Sequence, residues 1–285
     1  MKRALHWFRR DLRIHDNTAL FEACRQAEQV VPVFILEDAF RTGPDVGAAR
    51  LSFLLRSLHE LRQSLRELGA NLVVRLGRSE IELPKLAQEL NAQVVFCNTR
   101  YEPYAQLRDS KVFNALNQIG IGFESFKDAA LWHEQEILTQ AGRPFTVFTP
   151  YSRVWKSRAT ALPRPPIDLS KLRLAEAIPS DELPLAPAAL GHPCTQTILA
   201  VGERAALTAL DNFMREKIFT YAEARNRADI EGTSQLSAHL RAGTIGIRDV
   251  TVRVHRRQLM RKMGAKSVAE LVRITDQLRS EGIDL

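Results

Sequence analysis

Short apolar runs alternate with longer amphipathic segments through the first 130 residues, and this alternation limits the folds open to the chain. In the clearest amphipathic segment, 50–68, leucines recur at helical spacing. Strands that alternate with helices predict a parallel sheet with helices on both faces. We therefore expect an α/β fold with a Rossmann-like, doubly wound parallel sheet, whose strand candidates are 4–8, 30–36, 71–76, 94–97 and 122–126. Such sheets bind ligands beyond the carboxyl ends of their strands.

The rest of the chain has a different composition. Seven of the 13 prolines fall within 159–193, which disfavours helix and sheet interiors and predicts a long connection across a surface. From about residue 200 the pattern predicts helix throughout. We expect four parts, namely an α/β domain, a proline-rich connector, a truncated all-α domain and a basic tail, with the bounds 1–130, 131–200, 201–250 and 251–285.

Charge and cysteine content narrow the class of protein. The net charge is +7 and the isoelectric point about 9.6, which favours polyanionic partners. The three cysteines lie far apart, so their spacing indicates neither a zinc site nor a disulfide framework. The amino terminus has no apolar signal core, and no apolar run approaches the length of a membrane span. We expect a cytoplasmic protein with no metal site and no membrane partner.

The stretch EGTSQLSAHLRAGTIG, residues 231–246, is a candidate anion site. Gly232 permits close backbone approach, Thr233, Ser234 and Ser237 offer hydroxyl donors, and Ser237 is a candidate N-cap of the helix that follows. The alternative is that these are only capping and turn residues. Neither a Walker A pattern nor a GxGxxG after the first strand is present.

Tyr221 and Arg225, which precede this stretch, favour a ligand larger than a simple anion. Tyr221 supplies an aromatic ring, which suits a ligand with a flat adenine or flavin part and a phosphate part. Arg225 suits either that phosphate or a nucleic-acid backbone.

Four strings together resemble the photolyase/cryptochrome family of blue-light flavoproteins. They are LHWFRRDLRIHDNTAL (5–20), RYEPYAQLRD (100–109), FTPYSRVWK (148–156) and YAEARNRADIEGTSQLSAHLRAGTI (221–245). The resemblance implies an α/β domain that often carries a folate or deazaflavin antenna chromophore, and a helical domain that holds FAD. It implies light-driven electron transfer from reduced FAD to cyclobutane pyrimidine dimers in DNA, or, for cryptochromes, signalling.

The resemblance also implies roles for single residues. Tyr221 matches the family tyrosine at the FAD site, and Arg225 matches a contact to the DNA backbone. The family's phosphate-binding run corresponds to Thr233, Ser234, Gln235, Leu236 and Ser237. In the opening turn a structural role is expected for Arg9, Arg10, Asp11, Arg13 and Asn17. Tyr104 and Ala105 stand where folate-binding relatives carry an Asn-Glu pair, so a deazaflavin or no antenna is equally compatible.

The resemblance ends near residue 250, and no catalytic residue is assigned. The segment 251–278 resembles the end of a LuxR-type response-regulator helix-turn-helix, with Arg253, Arg256 and Arg257 on its DNA side. The alternative for these arginines is a solvated helix face. We expect a truncated flavin domain whose exposed half-core promotes self-association. The remaining alternatives are a chromophore-binding module without repair, and a nonfunctional fusion with a DNA-binding tail.

Overall fold

The computed structural model describes residues 1–43, 46–133, 135–158, 163–172 and 178–262. The strands within these ranges are β1 (Arg3–Phe8), β2 (Gln29–Leu36), β3 (Val73–Leu76), β4 (Val94–Asn98) and β5 (Gly122–Phe126). The helices of the α/β part are α1 (Thr18–Gln26), α2 (Ala39–Thr42), α3 (Ala48–Glu67), α4 (Ser79–Glu89) and α5 (Pro103–Gln118). Those that follow are α6 (Phe148–Ser157), α7 (Gly202–Asn212), α8 (Tyr221–Ala224), α9 (Ser237–Ala242) and α10 (Ile247–Lys262).

The strands form one parallel sheet in the order β3-β2-β1-β4-β5. The predicted α/β class, the predicted strands and the predicted helix at 50–68 are therefore confirmed, with small shifts at the ends. The strand order reverses between β1 and β4, because the chain leaves β1 toward β2 on one side and later returns to β4 on the other. Ligands of such sheets bind at this switch point, beyond the carboxyl ends of the strands.

Each face of the sheet is covered by helices. Alternate residues of β1 point to opposite faces, so Phe8 enters the core under α1 and α3, and Trp7 enters the core under α4 and α5. The first core is filled mainly by leucines of α3, such as Leu55 and Leu58, which are fully buried. The two-sided cover explains why these strands are almost continuously apolar.

The connector protects the outer edge of the sheet at β3. The amide of Asp181 donates to the carbonyl of Val74 at 2.9 Å, and the amide of Val74 donates to Ser180 Oγ at 2.9 Å. The amide of Leu76 donates to Asp181 Oδ2 at 2.8 Å. An unprotected edge strand presents unpaired backbone groups, which this pairing satisfies.

The helical segment packs around a third, smaller apolar cluster that includes Leu210, Phe213 and Ile245. A π-helical turn, Phe213–Lys217, follows α7. The helices expected from about residue 200 are interrupted at 225–236 by turns, bends and irregular chain, which include the loop expected at the start of 231–246.

Helix α10 begins before the predicted boundary at 250 and continues across it. Val250 and Val254 both pack against the third cluster, so the first part of the predicted tail is an extension of the helical segment. The rest of the predicted helix-turn-helix, 263–285, lies outside the described residues.

Candidate functional site

The opening turn after β1 joins the α/β domain to the helical segment through buried charges. Arg13 Nη2 donates to both carboxylate oxygens of Asp128, at 2.9 and 2.8 Å. Arg248, on α10, donates to Asp128 at 2.7 Å and to Asp16 at 2.8 Å. Although burial raises the pKa of Asp128, the charges of Arg13 and Arg248 outweigh that effect and lower it to about 2. This carboxylate therefore stays ionised between two guanidinium groups.

The other polar residues of the turn are also fixed by hydrogen bonds. Asn98 donates to Asp11 at 2.6 Å and to Asn17 Oδ1 at 2.8 Å. Arg9 donates to Asp109 and to the carbonyl of Asn98. Asn17 is the N-cap of α1. The structural role expected for this turn is confirmed for its buried members.

Arg10 differs from its neighbours because it is half exposed and faces the switch point. Its guanidinium donates to Glu102 at 2.7 Å, and that of Arg100 donates to the same oxygen at 2.7 Å. Burial lowers the pKa of Arg10, and Arg241 on α9 lowers it further by its positive charge. Glu102 has a pKa of about 2, because the bond and charge of Arg100 and the charge of Arg10 outweigh its partial burial. Glu102 and the guanidinium groups of Arg10 and Arg100 thus lie together beyond β1 and β4, and the positive charge of Arg241 acts on Arg10 from α9. We call this group the arginine crevice; its excess positive charge favours an anionic ligand.

A second cleft, of about 180 Å³, lies at the carboxyl end of β2. Glu37 is buried there and accepts hydrogen bonds from Ser79 Oγ at 2.5 Å and from the Tyr104 hydroxyl at 3.1 Å. The sequence reasoning missed this cleft and the arginine crevice. The signal that could have found both is the polar residues directly after predicted strands.

Five of the six predicted cofactor residues lie at or near the surface of the helical segment; the sixth, Leu236, is buried. Tyr221, Thr233, Gln235 and Ser237 are exposed, and Ser234 is half-buried. Tyr221 packs edge-on against Phe213, with ring centres 5.5 Å apart. These side chains therefore lie within one short part of the sequence, 221–237.

The local geometry corrects two details of the predicted anion site. Ser237 is the first residue of α9 and not its N-cap, because Leu236 occupies the cap position and makes no side-chain capping bond. Gly232 lies so close to the backbone of Ala224 that a Cβ would overlap it, so the glycine is required for this contact between two parts of the chain and not for the approach of a ligand. The side chain of Leu236 is buried in the third cluster, which leaves only its backbone for a ligand.

The end of α9, the helix that follows the predicted cofactor loop, is fastened to the opening turn of the α/β domain. The amide of Leu12 donates to the carbonyl of Ala242 at 3.2 Å, and Arg13 donates to the carbonyl of Gly243 at 3.3 Å. Gly243 adopts a φ of 68° and lies so close to the backbone of Arg10 that a Cβ would overlap it. The arginine crevice and the predicted cofactor loop are therefore held next to each other.

The arginines predicted to bind DNA have different surroundings. Arg225 is exposed and lies over the ring of Tyr221, at 6.0 Å from its centre. Arg253 pairs with Asp211 at 2.6 Å, and Arg257 lies over the ring of Phe219 at 5.4 Å. Arg256 is exposed. Within the described ranges we find no helix suited to crossing a membrane and no cluster of side chains able to hold a metal ion.

Comparison with known proteins identifies the fold. Residues 4–168 match the family model of DNA photolyase. The chain is 38% identical over 248 residues to an uncharacterized 31.6 kDa protein of Synechococcus sp. (strain PCC 6716), covering 86% of this chain and 87% of that protein. It is 33% identical to a deoxyribodipyrimidine photo-lyase of another Synechococcus strain, over 86% of this chain and 52% of that enzyme.

Solved structures agree. A bacterial class III photolyase from Agrobacterium tumefaciens matches with a TM-score of 0.79 and 29% identity, over 99% of this chain and 58% of that one. A Synechocystis cryptochrome, with a TM-score of 0.77 and 22% identity, shows the same fold. The chain spans about half the length of the curated photolyases it matches. It belongs to the DNA photolyase family.

Proposed function

We propose that the chain is a photolyase-like flavoprotein that takes part in light-driven splitting of cyclobutane pyrimidine dimers in DNA. Membership of the DNA photolyase family supports this. The observation that carries it is the fastening of the carboxyl end of α9, the helix that directly follows the loop 233–237, to the opening turn. The amide of Leu12 and the guanidinium of Arg13 donate there to the carbonyls of Ala242 and Gly243. This contact holds a candidate flavin loop next to a candidate antenna crevice, as energy transfer between two chromophores requires.

Within the loop, Thr233, Ser234 and Ser237 would bind the pyrophosphate of FAD. Ser237 is the first residue of α9, whose first amide groups have no acceptor inside the helix, and Thr233 and Ser234 lie just before it in the chain. Tyr221 would flank the flat part of the cofactor, and Arg225 would contact phosphate of the cofactor or of DNA. Reduced FAD, when bound, supplies an electron donor that light can excite. The residues of this chain bind and orient it.

The crevice formed by Arg10, Arg100 and Arg241 would bind an antenna chromophore. Folates carry carboxylates, and a hydroxylated deazaflavin ionises, so both suit a crevice with excess positive charge. Which of the two is bound depends on the ring contacts, and deazaflavin and folate are equally compatible with the charge.

The second candidate function is chromophore binding without repair, as in cryptochromes. One observation favours it: every predicted cofactor residue except Leu236 has solvent-accessible side-chain surface among the described residues. A loop that contacts the cofactor from one side binds it more weakly than an enclosed cavity does.

We propose that the tail adds a salt-sensitive contact to DNA phosphates, chiefly through Arg256, which carries no ion pair within the described part of the chain.

Titration with FAD tests the loop. Ser234→Ala and Ser237→Ala each remove a hydrogen bond to a charged group, worth about 1.5–3 kcal/mol, so the Kd for FAD should rise roughly 10- to 100-fold. Ser152→Ala, in α6, is the matched serine control and should leave the Kd unchanged. Equal Kd values for the loop variants and the control would remove the loop from the cofactor site. Light-dependent loss of dimers from an irradiated oligonucleotide then separates repair from binding alone.

A further inference from the structure

The five-stranded sheet has two outer edges, and only one of them is covered in the described part of the chain. At β3, the connector bonds to the strand through Ser180 and Asp181. At the other end, β5 pairs with β4 along one side, and no strand or loop within the described ranges bonds to its second side. β5 has neither proline nor lysine, and its register with β4 has no bulge, so the usual blocks to pairing are absent.

The ladder between β4 and β5 shows which backbone groups of β5 are open. In a parallel pair, alternate residues of a strand bond to the neighbouring strand. The amide of Gly122 donates to the carbonyl of Gln93 at 2.9 Å, so the even-numbered residues of β5 bond toward β4. The amides and carbonyls of Phe123 and Ser125 therefore point away from the sheet, and they have no partner among the described residues.

Aromatic rings lie beside this open edge, on the face of the sheet that α5 covers. Phe123 is half-buried and packs against the core under α4 and α5. Phe113 of α5 is 48% exposed and packs edge-on against Phe123, with ring centres 6.4 Å apart. An aliphatic side chain on an added strand would cover these two rings, which gives the edge an apolar contact on one face.

Glu124 sets the charge of the edge. It is the middle residue of β5 and points to the face opposite to Phe123. Its side chain is half-buried and makes no ion pair with any cation in the ranges that the structure describes. In an antiparallel strand paired along all of β5, the side chain opposite Glu124 comes closest, because that pair exchanges no backbone hydrogen bonds. A Lys or Arg there would be attracted, and an acidic residue would be repelled.

Charge also decides between a second copy of the chain and a different protein. Two copies paired along the full length of β5 would be related by a two-fold axis at Glu124. Their two glutamates would lie directly opposite each other, where like charges destabilise a sheet. The surface therefore fits a different protein, with an extended segment that carries a cation between aliphatic residues.

We propose that the outer edge of β5 binds such a segment of another protein as an antiparallel sixth strand. Phe123 and Ser125 exchange backbone hydrogen bonds with the segment, and a Lys or Arg of the segment pairs with Glu124. Its aliphatic side chains cover Phe113 and Phe123. In this mode of recognition the main-chain bonds supply affinity and the side chains supply specificity. The edge shares no residue with the predicted cofactor loop or the arginine crevice, so binding requires no chromophore.

Two fluorescein-labelled peptides, Thr-Val-Lys-Val-Thr and Thr-Val-Glu-Val-Thr, test the proposal by anisotropy with the full chain, at concentrations up to the millimolar range. The Lys peptide should bind about 2- to 30-fold more tightly than the Glu peptide, because the cross-strand pair changes from attraction to repulsion. Glu124→Lys should reverse this preference. Glu182→Lys makes the same change at an exposed position of the connector and should leave the preference as it is.

The amide of Ser125 provides a second test. Ser125→Pro removes this outward amide without removing a bond to β4, and edge strands tolerate proline at such a position. It should weaken binding of the Lys peptide about 2- to 10-fold, for the loss of one backbone hydrogen bond. Ser125→Ala keeps the amide and should bind as the unchanged chain does. The bound Lys peptide should slow hydrogen exchange at the amides of Phe123 and Ser125 and leave exchange at Val74 unchanged.

Three results would overturn the proposal. Equal binding of the two peptides, or a preference that Glu124→Lys leaves in place, would remove Glu124 from the contact. Failure of the Lys peptide to protect the amides of Phe123 and Ser125 would mean that Glu124 only keeps the edge unpaired. Protection of these amides that rises with protein concentration, in the absence of peptide, would assign the edge to a second copy of the chain.

Discussion

Arg248 connects the helical segment to two buried carboxylates of the α/β domain. It donates to carboxylates of both Asp16 and Asp128, and its own side chain is buried. Asp16 has a φ of 52°, an unusual conformation for a residue other than glycine. Arg248 also donates a hydrogen bond to the backbone carbonyl of Asp16. The position of α10, and of the loop before it, depends on these bonds.

Replacing Arg248 by Met should lower the free energy of unfolding by about 3–5 kcal/mol, because buried carboxylates lose a partner. Urea denaturation measures the change. The control is Arg253→Met, which breaks a partly exposed pair with Asp211 and should cost no more than about 1 kcal/mol. Equal losses for the two variants would show that the buried network does not hold the segments together.

His6 gives the protein a specific pH dependence. It is fully buried on β1, neither ring nitrogen has a hydrogen-bond partner among the described residues, and burial lowers its pKa to about 4. The unfolded chain, with a histidine pKa of about 6.5, binds the proton more readily. The contribution of neutral His6 to the free energy of unfolding is therefore fully present above pH 6.5 and is lost as the pH falls toward 4.

The variant His6→Leu should remove this slope, which amounts to about 3 kcal/mol over the interval. Urea midpoints measured between pH 4 and pH 7 report it. His15 contributes with the opposite sign, since its hydrogen bond with Asp249 raises its pKa, so that its stabilisation is lost as the pH rises. An unchanged profile in His6→Leu would mean that His6 binds its proton equally well in the folded and the unfolded chain.

Among the elements, the connector and β3 offer the clearest test of edge protection. Ser180 and Asp181 accept hydrogen bonds from the amides of Val74 and Leu76. Ser180→Ala and Asp181→Ala should each lower stability by about 0.5–1.5 kcal/mol and speed hydrogen exchange at these two amides. Ser157→Ala, whose hydroxyl only bonds within α6, is the control. Exchange that stays as slow as in the unchanged chain would contradict the edge contact.

The strands and the long helix could be predicted because their residues carry a strong local pattern. β2 is apolar at nearly every position, and α3 repeats leucine at helical spacing. A loop at the start of 231–246 was expected from its glycine and hydroxyl residues, but its path could not be predicted, because it depends on the contact of Gly232 with Ala224, which lies eight positions away. In the arginine crevice, the positions of Arg10 and Arg100 directly after predicted strands could have been used, but the approach of Arg241 could not be predicted, because it depends on where α9 packs.

The site residues divide in the same way. The buried role of Arg13 was predicted from a family resemblance, and the structure supplies its partners, Asp128 and the carbonyl of Gly243. The cofactor roles of Tyr221 and of residues 233–237 remain predictions, since the surface position of these residues allows ligand contact without demonstrating it.

At the scale of the whole molecule, several large apolar side chains of the helical segment are exposed. They include Phe219, Tyr221, Ile230 and Leu240. Exposed apolar groups that lie close together promote association. We expect self-association at micromolar concentration, and Ile230→Ser/Leu240→Ser should shift the protein toward monomer in sedimentation velocity. Leu185→Ser is the control. A monomer for the unchanged chain would contradict this prediction.

The absorption spectrum of the purified chain, from the near-ultraviolet to the blue, tests the central claim most directly. A photolyase-like flavoprotein whose loop 233–237 binds FAD should show a flavin band, and that band should weaken in Ser234→Ala and Ser237→Ala. A colourless protein that takes up no FAD on reconstitution would contradict the account.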